Sequence, residues 1–581
     1  MVSRRKFIKA GLGYSAIPWI APELRAKAHV FAGSEPSRPR SRQSSIATDP
    51  LAQVTGLDRI VMEGPPPGSG KPNVQIPFYT ELNGDAFPQL AHEVYLNKSN
   101  FLGPDGQPPR PEEFVDLVVV GGGLAGLTAA YALRHHKPVL LEYADRFGGN
   151  SKGETWNNTQ YSMGGAYLID PDPGPLRDTL DELELSNVLR AYGDDDAIEA
   201  GGKVLPGFFD GKGMSKEDAA KFEQYRERLQ FYAFQDYPEL PTADGSLSPT
   251  VQDLDQRSLK DEISTWIDGD VPELLASAIQ LYCYSSFNAG WEEVSAAAGL
   301  NFLAAEEYDL WVYPGGLGQV SRRLWRKTAA STGFGNMRAG MLVFDMRIVN
   351  KGVQLTYIDS GLKVRSMVAK AVVMACPKKM YQWIDDFMTE ERRSAINQLT
   401  YRSYCMANVL IDQPMPDDFY DLFLIRDGVA MSANEAQNGH RITDALSAKW
   451  VTGGRGDHSV LTCYWPMPFD PAALHFTFGV WGGDAETNFR QQAARSILDL
   501  TEILDFDAKA IRQVRLTRWA HAMPVSKVGF YNDGYHNALR EPIADRVFFA
   551  NQDNWALPAI ETSMMEAFHF VPQVEAALAK G

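Results

Sequence analysis

The stretch at residues 116–151 constrains the fold more than any other part of the chain. It reads DLVVVGGGLAGLTAAYALRHHKPVLLEYADRFGGNS, in which an apolar run at 117–120 leads into a G-x-G-x-x-G motif at 121–126. A helix-forming run follows at 127–134, and a second apolar run stands at 139–141. Short β-branched runs that flank a helical segment predict buried parallel strands. The sequence therefore predicts an α/β fold with a parallel sheet.

Each glycine of this motif has a physical task. Gly121 permits a tight turn, Gly123 lets the backbone approach a pyrophosphate at the helix N-terminus, and Gly126 allows close packing of helix on strand. Glu142 ends the second apolar run, at the spacing where an acidic side chain hydrogen-bonds an adenosine ribose. With Ala125 inside the turn, these residues predict a Rossmann-like dinucleotide site, and Glu142 favours an unphosphorylated 2′-hydroxyl.

The residues from Glu142 onward decide which dinucleotide binds. They read EYADRFGGN, which resembles the E-x-x-x-R-x-G-G extension of the FAD-binding amine oxidase superfamily. Arg146 would add positive charge near the diphosphate, while Gly148 and Gly149 would let the backbone, with Asn150 next to them, pass close to the ribityl chain. The resemblance implies FAD as the cofactor. We expect a noncovalent link, because no cysteine stands at 550–555, where related oxidases attach the flavin.

Further stretches extend the resemblance from about residue 115 to the C-terminus. The loop MGGAY at 163–167 is similar to the family's small-residue loop beside the isoalloxazine ring, and YPGGL at 313–317 is similar to the element that leads back into the FAD domain. The stretch at 546–550 resembles the last strand of the family's FAD domain, and the stretch at 559–562 resembles the helix whose N-terminus faces the flavin. Val343, in MLVFDMRIV, stands where the family contacts adenine through its backbone. The resemblance implies these further cofactor-binding residues: Gly164, Gly165, Ala166, Tyr167, Val343, Asn551, Asp553, Ala559 and Ile560.

Two departures narrow the branch of the family. FANQD at 549–553 stands where many amine oxidases read F-A-G-E, and together with RWAH at 518–521 and the stretch at 400–414 it looks most like spermidine dehydrogenase and its relatives. Met406 stands where many oxidases of the superfamily carry a lysine that holds a water against the flavin. This second departure favours a quinone or a cytochrome over O2 as the electron acceptor. O2 remains an alternative, and a noncovalent haem stays open.

The order of segments predicts two interleaved domains. Strand-like, glycine-rich segments alternate with longer polar and aromatic stretches, which predicts an FAD-binding domain built from three segments and an α+β substrate domain inserted twice. The predicted FAD segments are 112–174, 311–389 and 516–581. The predicted substrate segments are 175–310 and 390–515, and an N-terminal arm at 51–111 precedes both domains.

The N-terminus carries an export pattern. Its first residues, MVSRRKFIKAG, fit the twin-arginine motif, which sends folded proteins across a membrane. A short apolar stretch at 10–21 and AKA at 26–28 complete a predicted signal peptide at 1–28. Residues 29–50 include a Ser-, Pro- and Arg-rich run and are predicted to form a disordered linker. We therefore expect the twin-arginine (Tat) export machinery as a partner, FAD insertion before export, and a periplasmic or secreted location.

The resemblance implies oxidation of the C–N bond of a polyamine or another primary or secondary amine. A neutral amine lies over the flavin, its α-carbon gives a hydride to flavin N5, and the imine product hydrolyses. Trp519, Trp555 and Tyr167 are the predicted aromatic walls. His521 is the predicted relay for the amine proton, because an imidazole titrates near working pH. A distal cation needs carboxylates, and the stretch at 291–311 supplies Glu292, Glu293, Glu306, Glu307 and Asp309.

Two other functions stay open. Trp519 followed by Ala522-Met523-Pro524 also resembles the W-x-x-A-I-P element of desaturases and protoporphyrinogen oxidases, whose apolar substrates would need a cavity without carboxylates. The same fold also serves as a non-catalytic carrier in proteins similar to GDP dissociation inhibitors. Such carriers lose their flavin contacts, whereas the phosphate loop, Glu142 and Arg146 are present here.

Composition excludes some partners. The formal net charge of −17 would repel nucleic acid, so we expect none as a ligand. The four cysteines are widely spaced without a C-x-x-C pair, which predicts buried free thiols and no metal site. The substrate and the oligomeric state are not determined by the sequence, and a homodimer is among the alternatives.

Overall fold

The computed structural model describes residues 57–62, 74–79, 83–84, 88–191, 196–350, 352–415, 419–439, 442–454, 456–470 and 484–580. The predicted signal peptide at 1–28 and the predicted linker at 29–50 lie outside these residues, as does part of the predicted arm. No helix within the described residues is both long and apolar enough to cross a membrane.

The predicted strand–helix–strand unit is confirmed. Its elements are the strand Glu113–Val120, the helix Leu124–Ala132 and the strand Val139–Glu142. The two strands pair in parallel, with Val119 opposite Leu140, and the helix is buried along nearly its whole length. Apolar side chains on all sides of a short helix indicate that it lies between layers of the fold.

The first sheet joins segments that are far apart in the sequence. Within the described residues it has seven strands: Glu113–Val120, Val139–Glu142, Met337–Ala339, Leu342–Val349, Gly352–Ile358, Val364–Met374 and Val547–Phe549. Val372 pairs in parallel with Val118 on one side and with Val547 on the other. The predicted α/β fold with a sheet built from three separate segments is therefore confirmed. The sheet is mixed, because Leu342–Val349 and Gly352–Ile358 add an antiparallel meander to the parallel strands.

The second sheet is mainly antiparallel. In the described part of the chain its ten strands are Leu57–Met62, Val74–Tyr79, Asn83–Gly84, Asp196–Ala200, Lys203–Leu205, Tyr401–Ile411, Asp421–Arg426, Asp444–Ser447, Ser459–Pro466 and Ile511–Pro524. Every residue of the central strand Tyr401–Ile411 is buried. The strand Ile511–Pro524 crosses the predicted domain boundary at 515/516 and pairs with this central strand up to Pro524. The second sheet therefore extends beyond that boundary.

Most of the described chain outside the sheets is helical. The described α-helices are Pro88–Leu96, Leu124–Ala132, Pro175–Glu182, Lys216–Phe234, Pro249–Leu254, Leu259–Ser264, Glu273–Phe287, Ala296–Leu303, Gly318–Thr332, Lys378–Tyr381, Glu390–Gln398, Ala433–Gly439, Ala448–Val451, Asp484–Ile503, Tyr535–Arg540 and Ile560–Lys580. The segment 216–303 contributes five of these helices and no strand, so this part of the α+β domain is helical.

Two small sheets lie where the predicted domains meet. The strands Gly153–Trp156 and Thr159–Ser162 form a hairpin directly after the glycine-rich segment. The strand Leu310–Val312 pairs with both Tyr167–Ile169 and Leu189–Ala191. These pairings bring the loop at 163–167, predicted to face the flavin, next to the helical segment that ends before Leu310.

All four cysteines are described, and all four are free thiols. Cys283, Cys405 and Cys463 are buried and Cys376 is half-buried, so the prediction of buried free thiols is confirmed for three of them. Burial raises the pKa of Cys376 to about 12, which keeps this thiol protonated at neutral pH.

Candidate active site

The glycine loop after the first strand leaves no room for side chains. A Cβ at Gly126 would lie 1.9 Å from the carbonyl oxygen of Gly121, and a Cβ at Gly121 would lie 2.9 Å from the backbone carbon of Ala375. Gly121 also has a φ of +105°, which side chains rarely adopt. The helix thus packs directly on the turn, and the turn packs directly on the end of the strand Val364–Met374.

Glu142 lies beside this loop, at the end of the second strand. Its carboxylate accepts hydrogen bonds from the backbone N–H groups of Gly122 and Ala144, each at 2.6 Å. Burial raises the pKa of Glu142, and the nearby positive charge of Lys152 opposes that increase. The carboxylate retains free lone pairs for further hydrogen bonds, as the predicted contact with an adenosine ribose requires.

The predicted glycine-rich extension closes over the loop. Gly148 and Gly149 have φ angles of +121° and +58°, and a Cβ at Gly149 would lie 3.0 Å from the Cα of Gly123. Gly148 N–H donates to the carbonyl of Gly122 at 2.8 Å. Two backbone segments without side chains therefore face each other at the start of the helix Leu124–Ala132. No side chain caps the N-terminus of this helix, so its first N–H groups can bind an anion.

Positive charge is concentrated on the same side. The helix Gly318–Thr332 lies against the glycine-rich extension, and it carries Arg322. Burial and the neighbouring charges of Arg326, Arg146 and Arg323 lower the pKa of Arg322. A group of like charges close to an uncapped helix N-terminus is suited to a diphosphate. Arg146 is one of these neighbouring charges, and its contact with the diphosphate stays a prediction.

Lys152 is a site residue that sequence reasoning missed. Its side chain is 8% exposed, it lies close enough to Glu142 to affect that pKa, and its Nζ is 5.7 Å from the ring centroid of Trp519. It therefore lies between the predicted ribose end and the predicted substrate end of the cofactor site. In the sequence, only its position two residues after the glycine-rich extension indicates that Lys152 belongs to the site.

The small-residue loop at 163–167 is fixed by close backbone contacts. A Cβ at Gly164 would lie 1.9 Å from the carbonyl oxygen of Asn150, so only glycine fits there. Ser162 Oγ donates to the carbonyls of Gly164 and Gly165, each at 2.9 Å. Gly165 is exposed between the buried residues Gly164 and Ala166. The loop therefore offers backbone rather than side chains to a neighbouring ligand.

One face of the second sheet covers this loop with aromatic residues. Tyr404 pairs across the strands with Trp519, and Met406 pairs with Tyr464. Trp519 Nε1–H donates to the carbonyl of Met163 at 2.9 Å, and the Tyr464 hydroxyl donates to the carbonyl of Gly164 at 3.2 Å. The structure thus brings Trp519 to the predicted flavin-facing loop. It also adds Tyr404 and Tyr464, which sequence reasoning missed.

The C-terminal cofactor positions and Val343 already have protein partners. Asn551 donates to the carbonyl of Cys376 at 2.5 Å, and Asp553 accepts from the Lys378 N–H and the Tyr401 hydroxyl. Ala559 immediately precedes the C-terminal helix, which begins at Ile560. The Val343 carbonyl accepts from the Tyr95 hydroxyl at 3.1 Å. Their contacts with the cofactor stay predictions.

Two predictions for the substrate side need correction. Trp555 has no exposed surface; its Nε1–H donates to Glu566 at 2.8 Å and its ring lies 4.8 Å from that of His536. It is therefore a core residue, not a wall that a substrate can reach. Burial, together with the electrostatic effect of the neighbouring His92 and Lys379, lowers the pKa of His521 to about 4. The imidazole is neutral at neutral pH, so it does not titrate near working pH as predicted.

One of the five candidate carboxylates lies at the site. The Tyr282 hydroxyl donates to Glu306 Oε1 at 2.9 Å, and the Tyr167 hydroxyl also hydrogen-bonds this carboxylate. Burial and the charge of Glu561 raise the pKa of Glu306 to about 7, against the opposing effect of the hydrogen bonds from the two tyrosines. Glu561 lies in the first turn of the C-terminal helix and accepts from the Ile169 N–H at 2.7 Å.

The carboxylates of Glu292, Glu293 and Glu307 lie elsewhere. Glu292 is 3.8 Å from Lys260, and Glu293 forms a 2.7 Å ion pair with Arg402. Glu307 is exposed, and the backbone carbonyl of Asp309 accepts from Asp170 in the small three-stranded sheet. Periodicity alone could not separate Glu306 from its neighbours, because all five residues lie within one short acidic stretch.

Comparisons with known proteins agree with this geometry. The sequence model of the family described as flavin-containing amine oxidoreductase matches residues 124–556, which is more than half of the chain. The chain is 21% identical over 544 residues to oxidoreductase PigB of Serratia sp. (strain ATCC 39006), covering 83% of this chain and 77% of PigB. A 43-residue segment, 7% of this chain and 8% of the relative, is 56% identical to the 15-cis-phytoene desaturase of Narcissus pseudonarcissus. The solved structure of putrescine oxidase bound to putrescine is similar at a TM-score of 0.59 and 18% identity, covering 80% of this chain and 99% of that one.

The chain therefore belongs to the flavin-containing amine oxidoreductase family, and it is an oxidoreductase that uses FAD. The structure fits that cofactor, because two glycine segments without room for side chains face each other at an uncapped helix N-terminus, and the arginine-bearing helix Gly318–Thr332 lies against one of these segments. The helix start at Leu124 and the arginines would hold the diphosphate, and Glu142 would hold the ribose. The loop at 163–167 would lie beside the flavin ring.

Replacing Gly126 tests this assignment. We expect Gly126→Val to abolish FAD retention, because any Cβ would collide with the Gly121 carbonyl and force the helix off the turn. Flavin absorbance relative to protein absorbance after gel filtration measures the result. Gly335→Ala is the matched control, because a Cβ at Gly335 meets nothing within 4 Å. Full flavin content in the valine variant would contradict the assignment.

Proposed function

We propose that this chain is an exported FAD-dependent amine dehydrogenase or oxidase that oxidises the C–N bond of a polyamine or another primary or secondary amine. The observation that carries the proposal is the buried carboxylate of Glu306, which lies against Tyr167 in the small-residue loop and near Glu561. A cationic substrate is the ligand that best compensates buried negative charge.

The same observation weighs against the alternatives. An apolar polyene or porphyrinogen would bring no charge to compensate the half-buried Glu306 and Glu561, so the carboxylates disfavour a desaturase-like substrate. The short stretch of similarity to phytoene desaturase favours a desaturase-like enzyme as the second candidate function. A non-catalytic carrier is disfavoured, because the glycine loop, Glu142 and the arginine group that suit FAD are all present.

Each side chain at the site has a definite task in this proposal. Bound FAD supplies the hydride acceptor for the α-carbon of the amine, and the imine product hydrolyses in water. Tyr167, Tyr404, Tyr464 and Trp519 exclude water and hold the substrate carbon in place. Glu306 in its ionised form holds a substrate ammonium group. His521 donates no proton at neutral pH, because its imidazole is already neutral.

The electron acceptor is proposed from one buried residue. Met406 is 2% exposed and packs in one cluster with Trp519 and Tyr404. If it occupies the position of the lysine found in many related oxidases, the site lacks the group that holds water for rapid reaction with O2. A quinone or a cytochrome is then the favoured acceptor, as in the dehydrogenase branch of the family.

Anaerobic mixing with a panel of amines tests the function. We expect polyamines or other amines to bleach the flavin absorbance, and we expect no bleaching by a polyene or a porphyrinogen. The reduced enzyme is then mixed with aerated buffer or with a soluble quinone, and the quinone should restore the absorbance faster. If no amine bleaches the flavin absorbance, the proposal is wrong. If aerated buffer restores the absorbance faster than the quinone does, the enzyme is an oxidase and not a dehydrogenase.

Changing Glu306 tests the role of its carboxylate. We expect Glu306→Gln to raise KM for a diamine by ~10-fold or more, since a hydrogen bond to a charged group contributes about 1.5–3 kcal/mol. In the native protein Glu306 is neutral below its pKa of about 7 and ionised above it, so diamine KM should fall as pH rises through that value. The glutamine variant should lose this pH step.

Glu307→Gln is the matched control for that experiment, because Glu307 is the adjacent residue and its side chain is exposed. Its KM and pH profile should match those of the native protein. Equal KM values for Glu306→Gln and the native protein at every pH would remove Glu306 from the substrate site, without deciding whether the substrate is an amine.

Export is proposed from the N-terminal pattern at residues 3–9, SRRKFIK. We expect a variant with Arg4→Lys and Arg5→Lys to accumulate in the cytoplasm with FAD bound, because the paired arginines are the part of the pattern that the Tat machinery reads. Lys9→Gln is the control and should still be exported. Cell fractionation with flavin fluorescence measures both, and unchanged export of the double variant would refute the proposal.

A further inference from the structure

Two adjacent histidines and one glutamate converge on the surface of the FAD-binding domain, away from the reacting groups. His135 and His136 lie in the 3-10 turn Arg134–His136, which follows the helix Leu124–Ala132. Their Nε2 atoms lie 2.8 Å from Oε1 and 2.8 Å from Oε2 of Glu575, respectively. Glu575 belongs to the C-terminal helix Ile560–Lys580, so the three side chains come from positions about 440 residues apart in the sequence.

The geometry suits a metal ion. One donor atom from each side chain lies within 4.8 Å of the other two, and the two imidazole ring centroids are 4.1 Å apart. Imidazole nitrogen and carboxylate oxygen are the usual ligands of Zn²⁺, and the same set binds Ni²⁺ and Cu²⁺. The His135 side chain is 57% exposed, so water can complete the coordination shell.

We propose that His135, His136 and Glu575 form a binding site for one divalent transition-metal ion of the Zn²⁺, Ni²⁺ and Cu²⁺ class. Both imidazoles bind through Nε2 as neutral rings, with their proton on Nδ1. The ion then replaces the contact that each Nε2 makes with the carboxylate. The nearest guanidinium in sequence is already engaged, because Arg134 lies over the Tyr131 ring at 4.2 Å and 3.6 Å from Glu182.

The position of the site gives the ion a structural role. The helix Leu124–Ala132 and the C-terminal helix pack against each other; the first begins after Gly123 and the second at Ile560, which is a predicted cofactor-binding residue. The histidines follow the C-terminal end of the first helix, and Glu575 lies in the last turns of the second. A bound ion therefore joins the C-terminal ends of two helices that pack against each other. It makes no contact with substrate.

Titration of the FAD-loaded, untagged protein tests the proposal. Isothermal titration with Zn²⁺ should show one saturable site in the micromolar range, and Zn²⁺ should raise the thermal unfolding midpoint. Electron paramagnetic resonance of the Cu²⁺ complex should show hyperfine splitting from two imidazole nitrogens. The variants are His135→Ala, His136→Ala and Glu575→Gln, each checked for native flavin content.

Each variant should weaken Zn²⁺ binding by at least ~10-fold, because even removing a hydrogen-bond partner of a metal ligand costs that much. His458→Ala is the matched control: His458 Nδ1 also lies 2.8 Å from a carboxylate, that of Asp412, but within the described residues this pair is not part of a three-ligand group. The control should bind Zn²⁺ like the native protein. No saturable binding by the native protein, or unchanged binding by the His135 and His136 variants, would overturn the proposal.

Discussion

The contact between Gly126 and the carbonyl oxygen of Gly121 is the constraint on which the rest of the structure depends. Because no side chain fits there, the helix Leu124–Ala132 packs directly on the turn and directs its uncapped N-terminus at one point. The same turn abuts Ala375, at the end of a strand that comes from a distant part of the chain. Segments near 120, 375 and 550 must therefore all be in place before the cofactor site exists.

A second set of contacts attaches the substrate side to this scaffold. Trp519 and Tyr464, on two strands of the second sheet, both donate to carbonyls of the small-residue loop, at Met163 and Gly164. The loop is itself fixed, because the Asn150 carbonyl leaves no space for a side chain at Gly164. The aromatic face is consequently positioned by hydrogen bonds to backbone atoms, which do not depend on the identity of the loop side chains.

Local patterns predicted the cofactor scaffold well and the substrate side poorly. The strand–helix–strand unit followed from a continuous stretch whose periodicity and glycine spacing are local properties. Tyr404 and Tyr464 could not be found in this way, because their role depends on cross-strand pairing between distant segments. The predictions for Trp555 and His521 were wrong for a related reason, because the sequence gives the residue type but not its burial. Burial determines whether an aromatic ring can line a substrate site, and it also sets the pKa of an imidazole.

Glu306 illustrates how burial can turn an ordinary acidic residue into a selective one. A carboxylate in water is ionised at neutral pH and attracts any cation weakly, whereas burial and Glu561 hold Glu306 near its titration midpoint. A bound ammonium group would favour the ionised form, and each unit by which it lowers the pKa corresponds to about 1.36 kcal/mol of interaction. Binding of the cation and loss of the carboxyl proton are therefore coupled. A neutral apolar molecule of the same shape would gain none of this free energy, so under the proposed function Glu306 would favour a cationic substrate over a neutral one.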